Sequence, residues 1–325
     1  MENKKIVMIA LLMAIVILAI IASSNSRLID RVFYRLGFQE QVCFSELRES
    51  ITTQNETNFV LGGDFGINEN SEFILNKMKT VEPEIIILTG DLGQSTFEEW
   101  KEMTESMDLS NVYVTLGDAE ENEFRQEYLD YHNLEKNYYS FDYENIHFLA
   151  VSTETRNNFS NDKIQIEFIE NDLKSNMKNT STDWTIVFMH HPMYSSIDVE
   201  KAYVEELRSE LQPIFDLYDV NLVINGHKHA YERSVPLTYN SMEMGSASCV
   251  YEKYEGQIYI TAGTGGHSHS PFTKKESWSV IQNDNDYGFL NMKLLNDGKI
   301  LYLEFMTNNG KVMDSIKIYF DSIEG

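Results

Sequence analysis

Positive charge is what this chain has too little of. It carries 26 Lys plus Arg against 51 Asp plus Glu, a formal net charge of −25. Phosphate backbones are gripped by clustered Lys and Arg, so this balance excludes nucleic acid as a partner bound by bulk electrostatics. Anionic lipid surfaces repel such a chain as well. Cysteine is scarce, with only Cys43 and Cys249. Two thiols make no disulfide framework and share no spacing with a metal knuckle, although outside the cytoplasm they are free to pair. Internal repeats are missing, and so are the marks of disorder. With 42% hydrophobic and 12% aromatic residues, the chain has what it needs for a core. Its length suits one large domain or two smaller ones.

One stretch lacks charge altogether. Residues 6–22 (IVMIALLMAIVILAIIA) follow Lys4 and Lys5 and present no polar face, which argues against a helix of a soluble domain. The run is close to the lower limit for spanning a bilayer. An N-terminal transmembrane helix is therefore expected within residues 1–23, with the membrane as a partner through it and the bulk of the chain extracytoplasmic. Cleavage around Ala22-Ser23-Ser24 would instead make the run a signal and the domain secreted. Residues 24–57 are polar, of mixed charge and without periodicity, and read as a stalk. Residues 58–325 alternate apolar runs with helical stretches, the pattern of an α/β domain. Sequons stand at Asn55, Asn158 and Asn179.

The informative feature is what stands at the end of each apolar run. Asn58-Phe59-Val60-Leu61 leads into Gly63-Asp64, Glu84 to Thr89 into Gly90-Asp91, and Asn111 to Leu116 into Gly117-Asp118. Trp184 to Met189 leads into His190-His191-Pro192, and Val220 to Asn225 into Gly226-His227-Lys228-His229. Such runs suit strands buried on both faces. Val204, Leu207, Leu211 and Phe215 follow helical spacing between the last two. Open α/β sheets bind ligands beyond the carboxyl ends of their strands, so three carboxylates and at least three imidazoles are expected to converge there. Carboxylates crowded in one cleft repel unless dications hold them. Mixed oxygen and imidazole donors suit Zn, Mn or Fe, whereas calcium takes oxygen alone.

In order and spacing these motifs resemble the calcineurin-like metallophosphoesterases, and within them the purple acid phosphatase-like branch. The resemblance rests on Gly63-Asp64-Phe65-Gly66, on Met189 to Ser196, on Gly226-His227-Lys228-His229-Ala230-Tyr231-Glu232-Arg233 and on Ile260 to Gly266. It covers about residues 58–325. It implies a four-layer α/β/β/α metallophosphoesterase sandwich, preceded here by the N-terminal transmembrane helix. It also implies two divalent metal ions (Fe, Zn or Mn) and hydrolysis of a small phosphoester, monoester or diester, by a dinuclear-metal hydroxide. By motif, Asp64 and His229 would hold the first metal, Asp91 would bridge, and His190 and His227 would hold the second.

Three positions depart from the family. Gln94 stands where the purple enzymes have a ligating Tyr, and it offers an amide oxygen or nothing. Asp118 replaces the Asn of G-N-H and is retained as a ligand. Ala119 replaces the His of that motif, an imidazole associated in the family with transition-state stabilisation or leaving-group protonation. His191, Glu120, His267 and His269 are the candidates to stand in for it. The alternative is a catalytically impaired, metal-binding surface module of the same fold. Elsewhere, His147 reads as a packed strand residue, His132 as solvated, and Glu232 and Arg233 as braces of the histidine loop. Tyr194, Tyr231 and Trp278 read as core aromatics.

Overall fold

The computed structural model describes residues 56–120, 125–154, 159–198, 201–239 and 248–320. Their strands form two seven-stranded sheets. The first runs β3 (Val112–Val114), β2 (Ile85–Leu88), β1 (Thr57–Gly62), β12 (Gly288–Leu295), β13 (Ile300–Thr307), β14 (Val312–Tyr319) and β9 (Val250–Glu252). The second runs β11 (Ser279–Asn283), β8 (Tyr231–Ser234), β10 (Ile258–Ala262), β7 (Leu222–Asn225), β6 (Trp184–Met189), β5 (Ile146–Val151) and β4 (Tyr139–Tyr143).

Side-chain alternation along the strands builds the layers. On β6, Trp184, Ile186 and Phe188 join Phe59, Leu61, Leu290 and Leu303 of the other sheet in a shared core. Val187 and Met189 point the other way, toward α4 (Lys163–Asn176) and α5 (Lys201–Leu217), where Leu173, Leu207, Leu211 and Phe215 cover them. The first sheet is covered likewise by α1 (Glu69–Thr80), α2 (Phe97–Thr104) and α3 (Arg125–Tyr131), through Ile74, Met78, Trp100 and Leu129. Helix, sheet, sheet and helix follow in that order, because a strand buried on both faces needs a partner layer on each.

Local signals fix the helices. Asn68 caps α1 by accepting from the amides of Asn70 and Ser71, with Glu69 and Glu72 in the first turn and Lys77 and Lys79 in the last. Thr96 and Glu99 form a capping box on α2.

Strands β1, β2 and β3 are parallel neighbours, as are β5, β6, β7 and β10. Their carboxyl ends meet: the Gly63 amide donates to the Ala262 carbonyl across the sheets at 3.1 Å. Farther along the shared core, Arg233 of β8 donates to both oxygens of Asp314 on β14, at 2.5 and 2.9 Å, and to the Tyr251 hydroxyl at 3.1 Å. Arg233 thus ties one sheet to the other instead of bracing the histidine loop. Glu232 accepts from the Ser196 amide and from Gln282.

One part of the expected architecture is corrected. The mixed α/β metallophosphoesterase sandwich is present, but the transmembrane helix expected ahead of it is not part of the fold described: no helix among the described residues is long and apolar enough to cross a membrane. Residues 6–22, where that helix was expected, lie outside the described residues, as do the stalk up to residue 55, Cys43, Asn55 and Asn158.

Candidate metal centre

The site grows out of the strand ends. Asp64 follows β1, Asp91 and Gln94 follow β2, Asp118 follows β3, His190 follows β6, and His227 and His229 follow β7. Asp64, Asp91, Gln94 and His227 all have positive φ, between 47° and 67°. Four non-glycine residues held in this sparsely populated region cost strain that only a well-determined site retains. The glycines allow the close approach. A Cβ on Gly117 would lie 2.2 Å from Asp91 Oδ1, and one on Gly226 would lie 2.5 Å from Asp64 Oδ2.

The donor atoms fall into three overlapping groups, each within 4.8 Å: Asp64, Asp91 and His229; Asp91, Asp118 and His190; His190, His191 and His227. Asp91 belongs to the first two, which is the position of a bridging ligand. His190 Nε2 lies 3.2 Å from Asp91 Oδ1 and 3.0 Å from Asp118 Oδ1, and His227 Nδ1 lies 3.3 Å from Asp118 Oδ1. His229 Nε2 lies 3.5 Å from Asp64 Oδ1. Two imidazoles are aimed from behind. His190 Nδ1 donates to the Thr89 carbonyl at 2.8 Å and His229 Nδ1 to the Ser268 carbonyl at 2.7 Å. That leaves Nε2 of each facing the cleft, the arrangement typical of metal-ligating histidine.

These residues fit a cation. Both carboxylate oxygens of Asp64 are buried without a hydrogen-bond partner among the described residues, a cost a protein does not carry unless something satisfies them. Burial holds the Asp64 carboxyl well above its ordinary value, and it raises Asp91 too. Hydrogen bonds from His190 and His227 hold Asp118 far below the usual carboxylate range. Burial lowers His227 to about 3 and His229 to about 4, so both are neutral and ready to ligate at neutral pH. For His190, burial works downward but Asp91 and Asp118 outweigh it, and its imidazole is raised well above the ordinary value.

Gln94 lies beside the first group. Its amide nitrogen donates to Asp91 Oδ2 at 2.9 Å and lies 3.4 Å from His229 Nε2. Ala119 contributes only its backbone amide, donated to Asp91 Oδ1 at 3.0 Å. Glu120 does not face the cleft. It is 2% exposed, and its oxygens accept from the amides of Asp91, Leu92 and Gly117, so it staples the two carboxylate loops together. Burial, reinforced by Asp91, pushes its carboxyl up to about 8.

His191 sits beside the second group, its ring centroid 4.1 Å from that of His227. His267 Nδ1 lies 3.0 Å from Nδ1 of His229, on the side away from the carboxylates, and His269 stacks on Tyr287. His132, expected in solvent, is 6% exposed and packs edge-on against Tyr131. His147 is buried in its strand as expected. Tyr231 stacks on Phe305 between the sheets, and Tyr194 and Trp278 pack on the helical side. Sequence reasoning missed Thr153 and Glu154, which hold His191. The acid follows the apolar run of β5, but a lone Thr-Glu carries no motif.

Residues 58–231 match the family model of the calcineurin-like phosphoesterases, and residues 256–315 that of the iron/zinc purple acid phosphatase-like protein C. The chain is 30% identical over 193 residues to probable inactive purple acid phosphatase 27 of Arabidopsis thaliana, covering 58% of this chain and 31% of that protein. It is 25% identical over 323 residues to acid phosphatase type 7 of Danio rerio, covering 87% and 72%. It thus spans about a third of the length of the first relative and most of the second. Among solved structures, the purple acid phosphatase PPD1 from yellow lupin seeds is similar with a TM-score of 0.68 at 22% identity, covering 82% of this chain and 54% of that one. GAP50, the anchor in the inner membrane complex of Plasmodium, gives 0.63 at 18%, covering 83% and 91%; both likenesses concern the fold. With the family model matched across both sheets and the strand-end ligands in place, the chain belongs to the calcineurin-like phosphoesterases, in their purple acid phosphatase-like branch.

Proposed function

We propose that this protein is a metal-dependent phosphoesterase that hydrolyses small phosphomonoesters or diesters. The observation that carries the reading is the pair of ligand groups sharing Asp91, with the unpartnered buried oxygens of Asp64 in one of them. Asp64, Asp91 and His229 would hold one ion, with the Gln94 amide nitrogen turned toward Asp91, and Asp91, Asp118, His190 and His227 would hold the other. Bound dications would supply the positive charge the chain lacks and the Lewis acidity that makes water a nucleophile at neutral pH. Zn, Mn and Fe(II) suit these donors. No phenolate stands at position 94 to stabilise a ferric ion, which supports a divalent pair.

The chain's own residues set the rest. In hydrolysis a water oxygen bonds to phosphorus, the ester P–O bond breaks, and the leaving oxygen takes up a proton. Ala119 has no group to deliver it and Glu120 is turned away from the cleft. The reading therefore favours esters with good leaving groups. The net charge of −25 argues against nucleic acid as substrate. A location in an oxidising compartment outside the cytoplasm is supported by Cys249, which is disulfide-bonded.

A second reading, a metal-binding module without turnover, is favoured by Asp118 and Ala119. The names of two relatives, probable inactive purple acid phosphatases 27 and 1 of Arabidopsis thaliana, point the same way. Aryl phosphate hydrolysis with Zn, Mn or Fe(II) supplied separates the readings. The first expects turnover that Asp91→Asn lowers at least about 100-fold. It also expects Asp118→Asn with Ala119→His to raise kcat on alkyl esters by about 10²–10⁴, the worth of general acid–base help. A wild type that binds two metals but turns over nothing, while the double variant is active, establishes the second reading. No turnover with any metal and no effect of Asp91→Asn overturns the first.

A further inference from the structure

The three-histidine group is larger than the motif requires. His190 and His227 are the imidazoles the second metal position needs, yet a ring nitrogen of His191 lies within 4.8 Å of ring nitrogens of both. Two nitrogens bound to one zinc, each at about 2.1 Å, can stand no more than about 4.2 Å apart, so a small adjustment brings all three onto one ion. The ring of His191 is T-shaped to that of His190 at 5.1 Å and tilted against that of His227 by 34°.

What holds His191 is a carboxylate. Its Nδ1 lies 3.1 Å from Glu154 Oε1 and 3.1 Å from Thr153 Oγ1. The Glu154 side chain is 3% exposed and that of His191 16%. The Thr153 hydroxyl donates to Glu154 Oε1 at 3.3 Å and accepts from the His191 amide at 3.0 Å. A carboxylate has no proton to give, so the ring donates from Nδ1. Its Nε2 keeps a lone pair and has no protein partner among the described residues. A carboxylate behind an imidazole that itself neighbours two ligating histidines makes the pattern in which metal-bound imidazoles are oriented from outside.

We propose that His191 is a third imidazole ligand of the second metal position, set in place by Glu154 and Thr153 as positioning residues. Three imidazoles with Asp118 and the shared Asp91 make a nitrogen-rich site, which selects zinc over manganese at that position. The inference rests on the metallophosphoesterase reading, and it gives His191 a task other than replacing the acid that Ala119 lacks.

The test is metal binding by the full chain, read apart from activity. Metal-free protein is titrated with zinc against a chelating dye, and with cobalt(II), whose visible absorption reports the ligand field. The wild type is expected to take up two zinc ions. His191→Ala should weaken one of them more than tenfold and change the cobalt spectrum. Glu154→Gln keeps the shape but swaps the acceptor oxygen for an amide, and it should weaken the same ion by about 10–100-fold, the usual worth of an outer partner. Asp64→Asn should weaken the other ion and leave the histidine-rich cobalt spectrum in place. Circular dichroism of the metal-free variants shows that they are folded, and Glu154→Gln carries the test if His191→Ala does not fold. Two zinc ions bound with wild-type affinity and an unchanged cobalt spectrum in His191→Ala overturn the assignment, including when KM alone changes and His191 faces substrate. A wild type that takes up fewer than two ions overturns the metallophosphoesterase reading itself.

Discussion

Asp64 shows how one side chain can have opposite worth in two states of the same protein. Its two oxygens are buried and accept no hydrogen bond among the described residues, and its backbone sits at a φ of 62°. A lone buried carboxylate costs several kcal/mol unless it takes up a proton or a cation. Asp64→Asn removes the charge while keeping the shape. In chelated protein it should be neutral to stabilising by up to about 2 kcal/mol, limited by the amide's own need for partners. In zinc-loaded protein it should cost more than about 2 kcal/mol, because an ion that binds only the folded state loses a ligand. Urea denaturation with and without chelator measures both, and equal effects of one sign in the two conditions would refute the account. The carboxylate was legible in the sequence, since a strand ending in Gly-Asp says where the group stands. Glu120 was not. Sequence placed it one residue from the motif and therefore in the cleft, but the turn after Gly117 rotates it inward onto three amides.

Among the elements, the edge of the second sheet carries its own ionic clamp. Asp142 on β4 faces His147 on β5 across the antiparallel pair. The imidazole bridges Asp142 at 2.6 Å and Asp172 of α4 at 2.8 Å, and Ser140 donates to the other oxygen of Asp172 at 2.6 Å. Burial works against the charged ring, but the hydrogen bonds it donates to Asp172 and Asp142 outweigh it, so its pKa is raised. A histidine raised in the folded state adds stability that is complete below its unfolded pKa near 6.5, and loses it as pH rises through the folded value. Stability should therefore fall from pH 6 upward through this group. His147→Gln should flatten that slope and cost about 2 kcal/mol at pH 6, on the scale of hydrogen bonds to a charged group. Thermal melts of both proteins from pH 5.5 to 9 check it, and parallel profiles would refute it. The strand order of these elements was only partly readable. β6 spans Trp184–Met189 as its apolar run indicates, because both faces are buried. The antiparallel pairing of β1 with β12 and the tie from Arg233 to Asp314, 81 residues apart, were not, because no local pattern records a partner that far along the chain.

For the molecule as a whole, the charge of −25 acts on everything that approaches. The bound dications would make the mouth cationic at short range, while the surrounding acid repels anions at long range. The two fields are screened differently, since the Debye length is about 30 Å at 0.01 M salt and about 8 Å at 0.15 M. Salt removes the distant repulsion first and spares contacts within the site. For an aryl phosphate dianion, kcat/KM should therefore rise about two- to tenfold between those salt concentrations, at the low end of electrostatic steering effects. A diester monoanion feels half the interaction energy, so its rise should be close to the square root of that factor, with kcat unchanged for both. Initial rates at matched metal occupancy measure the two slopes. A fall with salt would mean that the mouth's own field dominates at long range, and equal slopes would mean that substrate charge is not what the surface senses.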